Sequence, residues 1–503
     1  MSKQTASLSP ATSSPPGETA RGFFYLTLGK LFFLASRMVF FLGLPRFLSG
    51  PAEYGNFVLA IGIVLIASTM FLDGTTQAVS KLSAEDEENA PAVRTAALLS
   101  RLWIASGLGG VFALLASPIA HLLRDETLVP LLRLGGLTVV AYAFFAVFLG
   151  YANGTKKFAR QSIMDMGSSL LKPVLVLGAA GIWGSAYSAL AGFTLAQALG
   201  AGIGLALLGV RPWKRGYSFK KLFHYETSLM GFSLVLSVAL RADLFLLKGL
   251  LPPAEGGEQA GLYGAAQIFA QVPNALAVSL NFLLLPLVSG AVGRGKDEEA
   301  RRAVRMGLLL GLIILAGSAA VFSGSAELWI ALFYPAPYAQ AAPALEVLAF
   351  GGAAYSLLAL ATTALTASGR PRASLLLAFF YLAAILAAGF LLVPRYSMRG
   401  AAWTHLLAGL LAAMAALFVL RKTLGAALPP GRSLAVLLAA ALSLAALRLF
   451  PESGEAGGWD ALAALLPRIL VQGAVFVALL FLLRAVRAGE VRELLRRRRE
   501  AVV

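Results

Sequence analysis

The sequence predicts an all-α, polytopic membrane fold of about fourteen transmembrane helices, and three observations predict it. Hydrophobic residues fill 58% of 503 positions and charged residues only 13%, a balance that a water-soluble chain of this length has no core large enough to hide. Apolar runs of roughly 20 residues recur from one end to the other, the length a helix needs to cross a hydrocarbon layer about 30 Å thick. Strand-type alternation is absent, so the β-barrel, the other structure that satisfies its backbone in lipid, is excluded.

The spans begin near Gly22, Gly55, Thr95, Leu128, Arg160 and Ala186, then near Glu226, Ala260, Val304, Ala342, Ala373 and Gly400, and finally near Ser433 and Leu466. Residues 1–21 precede them as a Ser, Thr and Pro-rich stretch without an apolar run, which reads as a disordered tail and not as a signal peptide. Residues 22–210 form an expected first six-helix bundle, 211–225 a basic linker, 226–420 a second bundle, 421–486 the thirteenth and fourteenth helices, and 487–503 a basic tail. No connection is long enough to hold a soluble catalytic domain.

Net charge is +17, with 42 Lys and Arg against 25 Asp and Glu. The basic residues concentrate in the termini and the loops on their side, chiefly Arg211 to Lys221, Arg294 to Arg305 and the tail from Arg484 to Arg499. That asymmetry reads as a topology signal and as contact with anionic headgroups, placing both termini in the cytoplasm of a bacterial inner (plasma) membrane, with membrane lipids and no nucleic acid as partners. Cysteine is absent, which removes disulfides, thiolate metal ligands and cysteine nucleophiles.

Two stretches about 210 positions apart superpose in direct order. AEYGNFVLAIGIVLI lies over GLYGAAQIFAQVPNA, putting Tyr54-Gly55 on Tyr263-Gly264; further on Gly154 falls on Gly369, and Gly184 on Gly400. Six spans per copy bring both copies in from the same side, so a pseudo-two-fold axis along the membrane normal relates them and a central cavity lies between. The last two spans stand outside the repeat.

Charge inside a spanning helix costs about 2.5 to 3.5 kcal/mol and demands a reason. Lys30 and Arg37 share a face of the first helix at seven-residue spacing. Arg241 occupies a comparable place in the seventh helix and is expected to face Arg37 across the cavity. Asp165 and Lys172 share a face of the fifth helix, with Pro173 beside them to kink it. Gln267, Gln271, Asn274 and Asn281 mark one face of the eighth helix, where Pro273 breaks the hydrogen-bond ladder. Arg37, Arg241, Lys172, Lys30, Gln271 and Asn274 are therefore the candidate substrate-binding residues. Asp73, Asp165 and Asp243 are candidates for counter-ions or for a proton or sodium coupling site. For each, the bland alternative is snorkelling, ion pairing or helix-joining hydrogen bonds. Arg101, Arg133, Glu346, His405 and Arg468, near interfaces or without obvious partners, are read as structural.

No phosphate-binding loop, nucleophile elbow or zinc motif occurs, and His121, His224 and His405 lack metal-ligand spacing. Enzymatic activity and cofactors are not expected. A transporter fits better, with two bundles rocking about a cationic cavity that selects anions.

The Tyr-Gly entries at Tyr54-Gly55 and Tyr263-Gly264, the stretch AQIFAQVPNALAVSLNFLLLPLVSGAV and the run FYPAPYAQAAPALEVLAF followed by ASGRPR resemble the Wzx-type polysaccharide biosynthesis flippases of the multidrug, oligosaccharidyl-lipid and polysaccharide exporter superfamily. The resemblance covers roughly Gly22 to Arg421. It implies twelve core helices in two lobes, and an undecaprenyl-pyrophosphate-linked oligosaccharide carried to the outer leaflet for exopolysaccharide or O-antigen synthesis, beside a polysaccharide polymerase and glycosyltransferases. Pyrophosphate calls for cationic donors in a low-dielectric cavity while a polyprenyl tail stays in lipid, which agrees with that cargo. Two cargoes on the same fold, the lipid-linked peptidoglycan precursor and cationic drugs, stand as alternatives. A membrane-embedded glycosyltransferase or polymerase and a non-transporting scaffold belong to other classes; short loops count against the former and buried charge against the latter.

Overall fold

The computed structural model describes residues 32, 35–214, 216–447, 449 and 458–486. Lys30 and both terminal tails lie outside the described residues. Among those residues there is no strand, and eleven helices are long and apolar enough to cross a membrane.

In chain order the helices are α1 (residues 35–43 of it described), α2 (Pro51–Glu85), α3 (Ala90–Leu114), α4 (Ala116–Leu122), α5 (Leu128–Gly154), α6 (Phe158–Trp183), α7 (Ala186–Leu208), α8 (Phe219–Ala239), α9 (Ala242–Leu250), α10 (Pro253–Ala270), α11 (Val272–Gly293), α12 (Asp297–Gly324), α13 (Ala326–Phe333), α14 (Ala342–Ala367), α15 (Pro371–Leu424), α16 (Pro430–Leu447) and α17 (Trp459–Leu482). This list agrees with the fourteen spans expected once α4 and α13, of 7 and 8 residues, are set aside as too short to cross and three further features are counted. α8 and α9 form one crossing broken at Arg241, α10 and α11 one broken at Gln271, and α15 is two antiparallel crossings joined at Ser397, where φ is +46°.

Large apolar side chains such as Trp103, Leu114, Ile182 and Leu470 point outward, while Gln197, Arg94, Arg101, Asp243 and Lys248 are buried. This inside-out distribution suits hydrocarbon as the solvent.

The two bundles repeat one packing scheme. α5 is the hub of the first and touches α2, α3 and α7; α14 is the hub of the second and touches α10, α11, α12 and α15. The turn after each hub superposes bond for bond: the amides of Thr155, Lys156 and Lys157 bond to Tyr151, Asn153 and Ala152, and those of Ser368, Gly369 and Arg370 bond to Ala364, Thr366 and Leu365. Lys156 therefore lies over Gly369, with φ +57° and +81°, and the expected overlay of Gly154 on Gly369 is two residues out. The next turn keeps the corrected register, because Gly184, at φ +64°, falls on Ser397 and not on Gly400. Gly400 instead lies within the helix that follows, so close to Leu392 that a Cβ would stand 2.2 Å from its carbonyl oxygen. α16 and α17 pack on each other and on α12, outside the repeat.

The bundles meet where α2 crosses α8 and α10. The α2–α10 crossing depends on glycine: a Cβ on Gly55 would stand 2.1 Å from the Gly257 carbonyl oxygen, and one on Gly261 would stand 1.8 Å from that of Pro51. Backbone-to-backbone contact of this kind is how membrane helices gain packing energy where lipid supplies little hydrophobic drive. Tyr54 and Tyr263, paired in the sequence repeat, each reach back to the preceding crossing. The Tyr54 hydroxyl is 3.4 Å from the Phe41 carbonyl, and the Tyr263 hydroxyl donates to Asp243 at 2.6 Å.

Candidate functional site

Two helix breaks face the seam between the bundles. Pro273 has no N–H to return to Phe269, so the eighth crossing breaks at Gln271, which ends α10 and begins α11. The seventh breaks between Ala239 and Ala242; Arg241 caps α9 there and donates to the Ser237 carbonyl at 3.0 Å. Its aliphatic stem packs against α2, 3.5 Å from where a Cβ of Gly62 would project, which is ordinary contact distance.

Arg37 enters from α1. Its Nη2 donates to Gln271 Oε1, joining the first bundle to the break in the second, and its guanidinium lies 5.6 Å from the Phe41 ring centre. Arg37 and Arg241 are close enough to feel each other's charge. Neither takes part in an ion pair among the described residues. Two half-buried guanidinium groups that repel each other, with no carboxylate in ion-pair contact among the described residues and only the more distant charge of Asp243 acting on Arg241, make a place where an anion relieves the electrostatic cost.

Lys172 of α6 is buried inside the first bundle. Its Nζ donates to the Tyr142 hydroxyl at 3.4 Å and lies over the Tyr142 and Phe193 rings at 5.4 and 5.5 Å. Tyr142 is also within electrostatic reach of Arg37, so Lys172 is linked to the arginine pair through an aromatic neighbour. Asp165 is half-buried seven residues before it, in a helix that runs on through Pro173. Asn274, on α11, accepts a 3.4 Å hydrogen bond from Ser356. Asp73 accepts a 2.9 Å bond from Ser233 across the α2–α8 seam.

Asp243, two residues beyond Arg241, turns the other way, into the second bundle. It is fully buried, with Oδ2 accepting from Tyr263 and standing 2.8 Å from His405 Nδ1, while Oδ1 accepts from the Leu244 amide. His405 thus has a partner that the sequence reading did not find. Arg101 has one too: its Nη2 lies 2.7 Å from Glu226 Oε2, both fully buried. A third pair, Lys248 and Asp125 at 2.6 Å, was missed altogether. The signal available for these was intramembrane charge itself, but each partner lies more than 120 positions away.

Two bundles of six crossings, a cationic seam between them and two appended helices make a polytopic membrane fold. The chain belongs to the polysaccharide biosynthesis protein family, whose model matches residues 19–292; a MatE model matches residues 260–391. The structure resembles the lipid II flippase MurJ in an inward closed conformation, with a TM-score of 0.74 at 14% identity, covering 92% of this chain and 98% of that one. It also resembles an inward-facing multidrug resistance MATE family transporter of the MOP superfamily, with a TM-score of 0.62 at 14% identity over 82% and 96% of the two chains. A curated relative, the uncharacterized membrane protein YabM of Bacillus subtilis (strain 168), is 25% identical over 230 residues, 41% of this chain and 43% of that protein. The match to that relative thus spans under half its length. At 14% identity the likeness to these two solved structures is one of fold.

Proposed function

We propose that the chain flips an undecaprenyl-pyrophosphate-linked oligosaccharide from the cytoplasmic to the outer leaflet of a bacterial inner membrane, by alternating access, with both termini in the cytoplasm. The observation that carries this reading is the Arg37–Arg241 pair, held between the bundles with no ion pair to a carboxylate among the described residues and tied by Arg37 to Gln271. A pyrophosphate fits between two such forks, and its charge offsets their repulsion. Lys172 and Lys30 complete the cationic set, and Asn274 and Gln271 offer neutral hydrogen bonds to the first sugar. Asp73, Asp165 and Asp243 are the carboxylates through which a proton or sodium gradient acts; otherwise the drive comes from a polymerase and glycosyltransferases that consume the product. No catalytic step is assigned.

Family membership favours a glycan cargo over a drug, and a cationic seam does so as well. The second reading, a lipid-linked peptidoglycan precursor, draws on the likeness to the lipid II flippase and uses the same pyrophosphate contacts. Proteoliposomes loaded in parallel with fluorescent lipid-linked oligosaccharide and with lipid II separate the two. Faster flipping of the first supports the proposal, faster flipping of the second supports the alternative, and Arg37→Ala or Arg241→Ala must slow whichever is carried. Flipping of both that is indifferent to the two arginines sinks the assignment of the site.

A further inference from the structure

We propose that the α8–α9 crossing is a rocker latched to the first bundle by one buried ion pair at each end, so that opening toward either side of the membrane requires breaking one latch while the other holds. The inference rests on the alternating-access reading above and adds the residues that hold each closed end.

At the end where α8 begins, Arg101 of α3 meets Glu226 of α8 at 2.7 Å with side chains 1% and 0% exposed, and Thr75 of α2 accepts a further 2.9 Å bond from Arg101 Nη1. At the opposite end Lys248 of α9, itself fully buried, meets Asp125 of the α4–α5 connection at 2.6 Å, and also reaches the Pro253 carbonyl. Both pairs join one bundle to the other. Glu226 and Lys248 are separated by most of the seventh crossing, about 33 Å at 1.5 Å per residue, which is the depth of the hydrocarbon layer. The break at Arg241 lies between them, so the fulcrum coincides with the candidate anion site.

Polarity is reversed between the ends: the first bundle supplies the cation to one latch and the anion to the other. Between the latches the α2–α8 seam carries, among the described residues, side-chain bonds of modest strength, Thr69 to Ser237 at 2.8 Å and Ser233 to Asp73 at 2.9 Å. Opening one end admits water to both charges of its latch, which replaces the lost partner by hydration. Deleting one partner instead leaves a single charge buried in the closed form and penalises that form alone. Each latch therefore sets how often its own side opens.

The absence of cysteine makes the test direct. A single reporter, Asn274→Cys, is placed in the full-length protein in sealed membrane vesicles and titrated with a membrane-impermeant maleimide from either side. Asp125→Asn is expected to raise labelling from the extracytoplasmic side roughly tenfold, and Glu226→Gln to raise it from the cytoplasmic side by a similar factor. The charge-reversed pairs Asp125→Lys with Lys248→Asp and Arg101→Glu with Glu226→Arg are expected to return labelling toward that of the parent. Should a variant fail to insert, oxidising Asp125→Cys with Lys248→Cys must abolish extracytoplasmic labelling and leave cytoplasmic labelling intact. Unchanged labelling in both single variants, or an increase from the same side in both, overturns the proposal. The readout needs no lipid substrate, so a failure here with arginine-dependent flipping intact refutes the latches and leaves the cargo reading standing.

Discussion

His405 of α15 and Asp243 of α9, 162 positions apart in sequence, meet at 2.8 Å inside the second bundle, where the Tyr263 hydroxyl donates to the same carboxylate oxygen. The ring of Tyr381 stands edge-on to His405 at 6.3 Å, so three crossings close on one buried carboxylate. This cluster has a structural duty whatever its part in coupling, since Asp243 is fully buried and a buried carboxylate needs its polar partners.

His405→Ala removes one of its partners and leaves the carboxylate less than satisfied. A loss of roughly 3 kcal/mol is expected, read as a lower thermal midpoint of the detergent-solubilised protein. Asp243→Asn keeps the shape and deletes the charge, so it should cost less. If His405→Ala melts with the parent, the pair does not hold the bundle together.

The α2–α10 crossing makes a sharper prediction. Gly261→Ala puts a methyl group where the Pro51 carbonyl oxygen now lies 1.8 Å away, and Gly55→Ala does the same against Gly257. Neither carbonyl belongs to a flexible side chain, so the helices must separate. Both variants are expected to open this end of the molecule and to lose stability by 1 to 3 kcal/mol, about the cost of overpacking. Gly110→Ala, at a position with open space around it, is the control and should behave as the parent. Disulfide trapping between cysteines placed at Asn56 and Glu258 reports the separation.

Much of the architecture was legible because a bilayer enforces it. Span lengths, the clustering of Lys and Arg and the even number of crossings per copy follow from hydrocarbon thickness and charge. The breaks at Gln271 and the importance of Tyr54 and Tyr263 could be seen in Pro273 and in the repeated Tyr-Gly. What slipped was register. Alignment by glycine put Gly154 on Gly369 and Gly184 on Gly400, yet left-handed backbone occurs at Lys156 and Ser397 as well, where the residue type does not advertise it. The partners of Arg101, His405 and Lys248 were hidden for a different reason: a buried charge announces that it needs a counterpart, but only the packing of distant crossings says which one.

Arg94 tests that last point outside the cation seam. Its side chain is 1% exposed, lies 4.7 Å from the Tyr151 ring centre, and reaches the carbonyls of Leu208, Val210 and Pro212 at 3.3, 2.8 and 3.1 Å. Those are the last carbonyls of α7 and of the basic connection after it, where a cation is favoured by the helix dipole. Arg94→Ala strips all three and is expected to cost about 2 to 4 kcal/mol. Limited trypsin digestion should then cut after Lys214 sooner than in the parent. Resistance equal to that of the parent would mean that the connection is held by something else.

Asp125 supplies the pH dependence. Partial burial works to raise its carboxyl, but hydrogen bonds from Lys248 and Thr127 and the charge of Lys248 outweigh it and hold the group below its ordinary value of 3.8. A depressed carboxylate contributes stability that is fully present above the unfolded value and is lost as pH falls through the folded one. The Lys248–Asp125 bridge should therefore stay intact from neutral pH down to about 5 and weaken only below the usual carboxylate range near 4. Comparing the thermal midpoint of the parent with that of Asp125→Asn across this range checks it. The difference is expected to be constant above pH 5 and to shrink below pH 4. A difference that already closes between pH 7 and 5 would show that Asp125 is not held by Lys248, because only an unassisted or raised carboxyl takes up its proton so early.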